Sequence, residues 1–211
     1  ATSLSTIIFT GMSSAFAHYR LGNIHKPTVL YTGFGIAIGA ILGAQIASHI
    51  SGALLKDIFA VLVIIIAAQM IFGKQKTSDS EASPWVLSCV GSGTGLISAL
   101  MGIGGGALLV PALVWFRINI RLAIGCAAFS GLLIAVFGTA SFVAAGWQQA
   151  GTPQWSLGYV YLPATAGIVT TSIFTAGIGA KLGQRVNTRV LKAMLACLLV
   201  LVSIKMFVGI N

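Results

Sequence analysis

Residues 101–111, MGIGGGALLVP, set three consecutive glycines and a proline inside sequence so apolar that an unbroken helix would otherwise run through it. In a helix interior glycine costs roughly 1 kcal/mol against alanine and proline about 3. A penalty of that size marks a break, and the break constrains how the rest of the chain is arranged.

Around it, 57% of the 211 residues are hydrophobic and only 7% are charged, against about 25% charged in a soluble domain. The composition is that of an all-α integral membrane protein with the lipid bilayer as its partner. Stretches of roughly 17–25 apolar residues suffice to span, and they occur at 1–17, 28–50, 54–72, 122–145, 156–180 and 188–209. A further apolar region, 85–116, is the one cut by the glycines. The net charge of +9 comes from Lys and Arg placed singly or in small groups between spans, not from the basic stripe that nucleic acid requires. Cys89, Cys126 and Cys197 lie in apolar segments without paired spacing, so neither a disulfide framework nor a metal site is indicated, and no cofactor is implied.

The chain repeats itself. Residues 43–73 lie on 179–209 without a gap, with eight identities in 31 positions, and ATSLSTI at 1–7 then falls on GCAAFSG at 125–131. Residues 85–211 therefore read as a complete second repeat carrying the GIGGG hairpin, and 1–73 as a first repeat lacking its opening hairpin. The opening ATSLSTIIFTG has neither an initiator Met nor a basic leader and resembles the middle of a repeat. Between the halves, 74–84 has the Ser, Pro and charge content of a polar cytoplasmic linker.

Basic residues mark cytoplasmic loops. Arg20 and Lys26, Lys74 and Lys76, Arg117 and Arg121, and the group Lys181, Arg185, Arg189 and Lys192 are then inside, whereas 146–154 has no basic residue and is outside. The assignment closes only if 85–116 enters and leaves on the same side. The expected architecture is an inverted-repeat transporter fold with a re-entrant or discontinuous helix hairpin broken at the glycines.

Backbone released from helical bonding at membrane depth must face protein or a water-filled cavity. If Gly104, Gly105 and Gly106 form the break, the second arm starts near Ala107 with free N–H groups and the positive end of its dipole aimed inward, an anion site without a buried cation. Close helix contact through small residues is the alternative use of glycine, and it suits Gly91, Gly93 and Gly95. Asp57, Asp79 and Glu81 are the only acids, the last two in the linker, so no carboxylate is placed to hold a cation or act as a general base. A small anion is the expected solute, and an enzyme is disfavoured.

GIGGG followed by VP, the small and hydroxyl-rich start of the next helix (ATSLS, and GCAAFS in the second half) and the doubled unit resemble the TauE/SafE family of sulfite exporters. The resemblance implies export of sulfite or a related small sulfur oxyanion across the bacterial cytoplasmic membrane by alternating access, with a homodimer as the assembly. An organosulfonate or carboxylate exporter and a non-transporting membrane subunit are the alternatives.

Thr2, Ser3 and Ser5 begin a helix that the repeat should bring to the hairpin. They read either as hydroxyl donors to an oxyanion or as packing residues bonded back to their own helix. Cys126 and Ser130 are their approximate counterparts in the second half. His18, His25 and His49 fall at span ends, as interfacial residues do, and Trp85, Trp115, Trp147 and Trp155 sit where an aromatic belt would.

Overall fold

The computed structural model describes residues 1–51, 83–102, 104–116, 118–147, 153–187 and 189–191, with single positions between 54 and 64 and between 193 and 201. The linker 74–82 and most of the spans expected at 54–72 and 188–209 lie outside the described residues.

The elements whose bounds are described are six helices and one small hairpin: α1 (Thr2–Arg20), α2 (Lys26–Ala47), α3 (Pro84–Met101), α4 (Gly106–Trp115), α5 (Ile120–Gly146) and α6 (Leu162–Arg185), with β1 (Ser156–Leu157) and β2 (Val160–Tyr161) between α5 and α6. The starts are written locally. Proline occupies the first turn of α2, α3 and α6, where its missing N–H costs nothing. The side chain of Asn119 accepts the Arg121 N–H at 3.0 Å to cap α5. At the end of α1, Gly22 adopts φ +70°; its N–H donates to the Tyr19 carbonyl and that of Asn23 to the His18 carbonyl. This is a Schellman stop, which needs a left-handed residue at the glycine position. The sixth span starts at Leu162, not at 156, because Gly158 at φ +58° turns β1 back on β2 in a two-residue hairpin.

Helices α2, α3, α5 and α6 are long and apolar enough to cross a bilayer. Large apolar side chains point outward, with Leu30, Phe34 and Phe174 each about 70% exposed, while Gly, Ala and hydroxyl residues fill much of the interior. That distribution suits lipid, where helices associate by close packing and not by hiding apolar surface from water. All four tryptophans are exposed.

Contacts fix the helix directions. Leu4 packs on Gly138, Gly11 on Leu132 and Asn23 on Gly125, so α1 and α5 are antiparallel. Gly33 meets Leu133 and the Ser141 hydroxyl donates to the Ile41 carbonyl, so α2 runs parallel to α5. The Ser5–Thr165 contact and the Ser13 bond to the Ile173 carbonyl make α6 parallel to α1. Consequently the ends of α1 and α6 and the starts of α2 and α5 lie together, and they carry Arg20, Lys26, Arg121, Lys181 and Arg185. The opposite end has no Lys or Arg among the described residues, as a positive-inside orientation requires.

The tightest seam joins α2 to α3, two parallel helices in register from Tyr31 with Ser88 to Gly43 with Leu96. A methyl group at Gly35, Gly39 or Gly43 would enter the backbone of Ser88, Ser92 or Leu96, and one at Gly91 or Gly95 that of Thr32 or Ile36. Gly91 and Gly95 thus pack as expected. Gly93 does not: it faces open space, because it points off the seam.

Candidate functional site

Helix α3 runs from the basic end alongside α2, and α4 returns along α5 toward the basic end. The turn between these arms is the GIGGG stretch. It falls slightly earlier than expected. Gly102, at φ +68°, stops α3, Gly105 caps α4, and Gly106 is already helical. The reason is conformational, since only the left-handed residue ends α3 and the helix can restart as soon as its dihedrals allow.

Gly105 is buried against the middle of α5. A Cβ there would lie 2.9 Å from the tip of Ile134 and 3.5 Å from the Gly131 nitrogen. Gly131 stands about 17 Å along α5 from Ile120 at 1.5 Å per residue, while the whole helix is about 40 Å long. The start of α4 is therefore held near mid-helix. No side chain caps it, and the N–H groups of a helix's first turn have no intrahelical partner. The first α4 bond runs from the Leu109 N–H to the Gly105 carbonyl at 2.8 Å. Five residues on, Pro111 supplies no N–H for the carbonyl one turn back. Leu108, Leu109, Val110, Leu113 and Val114 are all buried, so α4 is a short apolar helix enclosed by protein.

Two serines stand on the elements that border this helix start. Ser98, on the last turn of α3, and Ser130, next to Gly131, are both fully buried, and neither oxygen has a hydrogen-bond partner among the described residues. Buried polar atoms are nearly always bonded; the hydroxyls of Thr139 and Ser172 are likewise buried without a partner among the described residues, but Ser98 and Ser130 are the two that are wholly buried and that lie on the two elements bordering the break. Ser130 was legible from the sequence as a counterpart of the α1 hydroxyls; Ser98 was not, although a hydroxyl one turn ahead of the glycines was the available signal.

The remaining sequence candidates separate. Ser3 reaches the break, its Cβ 3.9 Å from where one on Gly102 would stand, and Ile7 packs beside Gly104. Thr2 accepts the Tyr161 N–H at 3.1 Å. Ser5 donates to the Thr2 carbonyl at 2.7 Å and lies 2.6 Å from the Thr165 hydroxyl. Thr2 and Ser5 thus tie α1 to β2 and α6. Cys126, fully buried, lies about one turn from Ser130, its thiol donating to the His25 carbonyl at 3.8 Å. The structure brings Gly104, Gly105, Ser3 and Ser130 to the break and leaves Cys126 at the α1–α2 turn. His18, expected at an interface, is buried, because the Schellman stop folds Asn23 back over it, with Asn23 Nδ2 3.3 Å from His18 Nδ1.

Crossing helices with lipid-facing apolar side chains, basic residues gathered at one end and an enclosed half-helix starting at mid-depth define a multi-pass protein of the bacterial cytoplasmic membrane, built as membrane transporters are. The chain belongs to the family described as Sulfite exporter TauE/SafE, whose pattern it matches over residues 1–206. It is 38% identical over 208 residues to a probable membrane transporter protein of Haemophilus influenzae, covering 98% of this chain and 79% of that one. A probable membrane transporter protein of Methanocaldococcus jannaschii is 26% identical over 203 residues, covering 94% and 74%. Another, from Bacillus subtilis, is 27% identical over 154 residues, covering 69% and 63%. No solved structure matches the chain.

Proposed function

We propose that the protein is a secondary transporter exporting sulfite or a related small sulfur oxyanion by alternating access, without a chemical step of its own. The start of α4 is its mid-membrane anion site. Free N–H groups of the first turn and the Ser98, Ser130 and Ser3 hydroxyls supply the donors, and the helix dipole supplies the positive potential. The observation that carries this reading is an uncapped helix start buried against the middle of α5, with Ser98 and Ser130, fully buried and without a partner among the described residues, on the two elements that border it.

We further read 1–73 and 85–211 as inverted repeats around that site, with 85–116 as a re-entrant hairpin. Support comes from register. The internal alignment moves α1 onto α5 by 124 positions and α2 onto α6 by 136. Contacts between α1 and α6 join residues 160 apart, Ser5 with Thr165 and Ser13 with Ile173. Swapping the repeats turns each such pair into an α2–α5 pair 100 apart. Ile41 with Ser141 and Gly33 with Leu133 are 100 apart, and His25 with Cys126 is 101.

Purified protein in liposomes, followed for sulfite entry down its gradient, tests the function. Wild-type chain should carry flux and Gly105→Ala should lose it while still inserting. Full flux in Gly105→Ala would rule out the backbone donors.

A further inference from the structure

We infer a second oxyanion site, separate from the glycine break, at the basic end of the bundle where α1, α5 and α6 meet. A cavity of about 310 Å³ opens there, lined among others by Ser14, His18, Asn23 and Arg121. Arg121 sits on the first turn of α5, ten residues and about 15 Å below Gly131 at 1.5 Å per residue.

The chemistry of its wall is one-sided. One Arg121 Nη donates to the Val186 carbonyl at 3.2 Å, while Nε is buried without a partner among the described residues. The only carboxylate among the described residues is the exposed Asp57, and none pairs with Arg121. A guanidinium drawn partly out of water with no counter-charge is costly, and a buried charge is ordinarily paired.

His18 faces the same space. The Asn23 amide donates to its Nδ1, so the ring hydrogen is on Nε2, a further donor. Both side chains are more than nine-tenths buried, and the Schellman stop and Gly125 lock them in place; a Cβ at Gly125 would enter the Asn23 carbonyl.

A fixed cation with a free in-plane N–H, an imidazole N–H, an amide and a hydroxyl around one small cavity match a sulfur or phosphorus oxyanion, which guanidinium recognises through charge-assisted bonds. A dissolved ion and the phosphate of a phospholipid headgroup share that chemistry.

The test reads binding and not flux, so a chain that moves no sulfite still decides it. Detergent-purified full-length protein in an anion-poor buffer is titrated with sulfite, sulfate and inorganic phosphate by calorimetry, and native mass spectrometry records the phospholipid it retains. Arg121→Gln should weaken ion binding about tenfold or more, His18→Gln should weaken it less, and Gly105→Ala should leave this site intact. If the occupant is a headgroup, retained phospholipid falls in Arg121→Gln and added ions compete poorly in the wild type. Arg121→Lys keeps the charge without the fork and covers the case in which Arg121→Gln does not fold. Equal ion affinity and equal lipid retention in wild type, Arg121→Lys and His18→Gln would overturn the site.

Discussion

Replacing Ser130 by alanine should make this protein more stable and less active at once. The hydroxyl is fully buried and has no partner among the described residues, a condition that costs roughly 1–3 kcal/mol. Alanine keeps the Cβ and removes one oxygen, whose lost dispersion contacts are worth about 0.1–0.2 kcal/mol each. The balance favours the variant by about 1 kcal/mol, which in a protein of this size raises Tm by roughly 2–4 °C. Sulfite flux should fall, because a donor has left the proposed site. Ser5→Ala supplies the contrast. The Ser5 hydroxyl is engaged by Thr165 and the Thr2 carbonyl, so its loss should cost about 1 kcal/mol. Thermal unfolding in detergent and flux in liposomes measure both halves. A lower Tm for Ser130→Ala would show that the hydroxyl is not a net cost to the fold, and an unchanged flux that it is no donor to the solute.

Three further outcomes follow from the glycines. Gly39→Ala drives a methyl into the Ser92 carbonyl and should destabilise by about 3 kcal/mol or more, whereas Gly93→Ala, in open space, should be neutral or gain up to about 1 kcal/mol of helix propensity; thermal unfolding compares them. Gly22→Ala, forced to φ +70° with no steric neighbour, should lose about 1–2 kcal/mol, and chemical cross-linking of α1 to α2 should report a loosened turn. Gly104→Ala meets only Ile7 methyls at 3.6 Å, so it should insert and fold like wild type and separate the steric demands of the break from its donor role in the flux assay.

The membrane class, the break and the gathering of basic residues at one end were legible because each rests on composition or on a local penalty that one sequence displays. The boundary at Leu162 was not, since a two-residue hairpin turns on Gly158 within an apolar run that reads equally well as helix. The α2–α3 seam was half legible. Gly91 and Gly95 stood out, but their partners Gly35, Gly39 and Gly43, spaced by four, were absorbed into a plain span. Of the candidate site, the glycines and Ser130 came from pattern, while Ser98 and Arg121 required packing to reveal that one hydroxyl is orphaned and one loop cation is drawn inward. Hydrophobicity cannot distinguish a serine bonded to its own helix from one bonded to nothing.

The glycine seam also limits how this protein can move. Where two helices touch through backbone, there are no side-chain rotamers to repack, so small sliding steps meet hard carbonyl ridges. The ridges recur at Gly35, Gly39 and Gly43, every four residues or about 6 Å. Helices α2 and α3 must therefore travel as one rigid plank or jump a whole notch like a ratchet, and any gradual rocking has to be taken up where α5 meets them through Leu133 and Ser141.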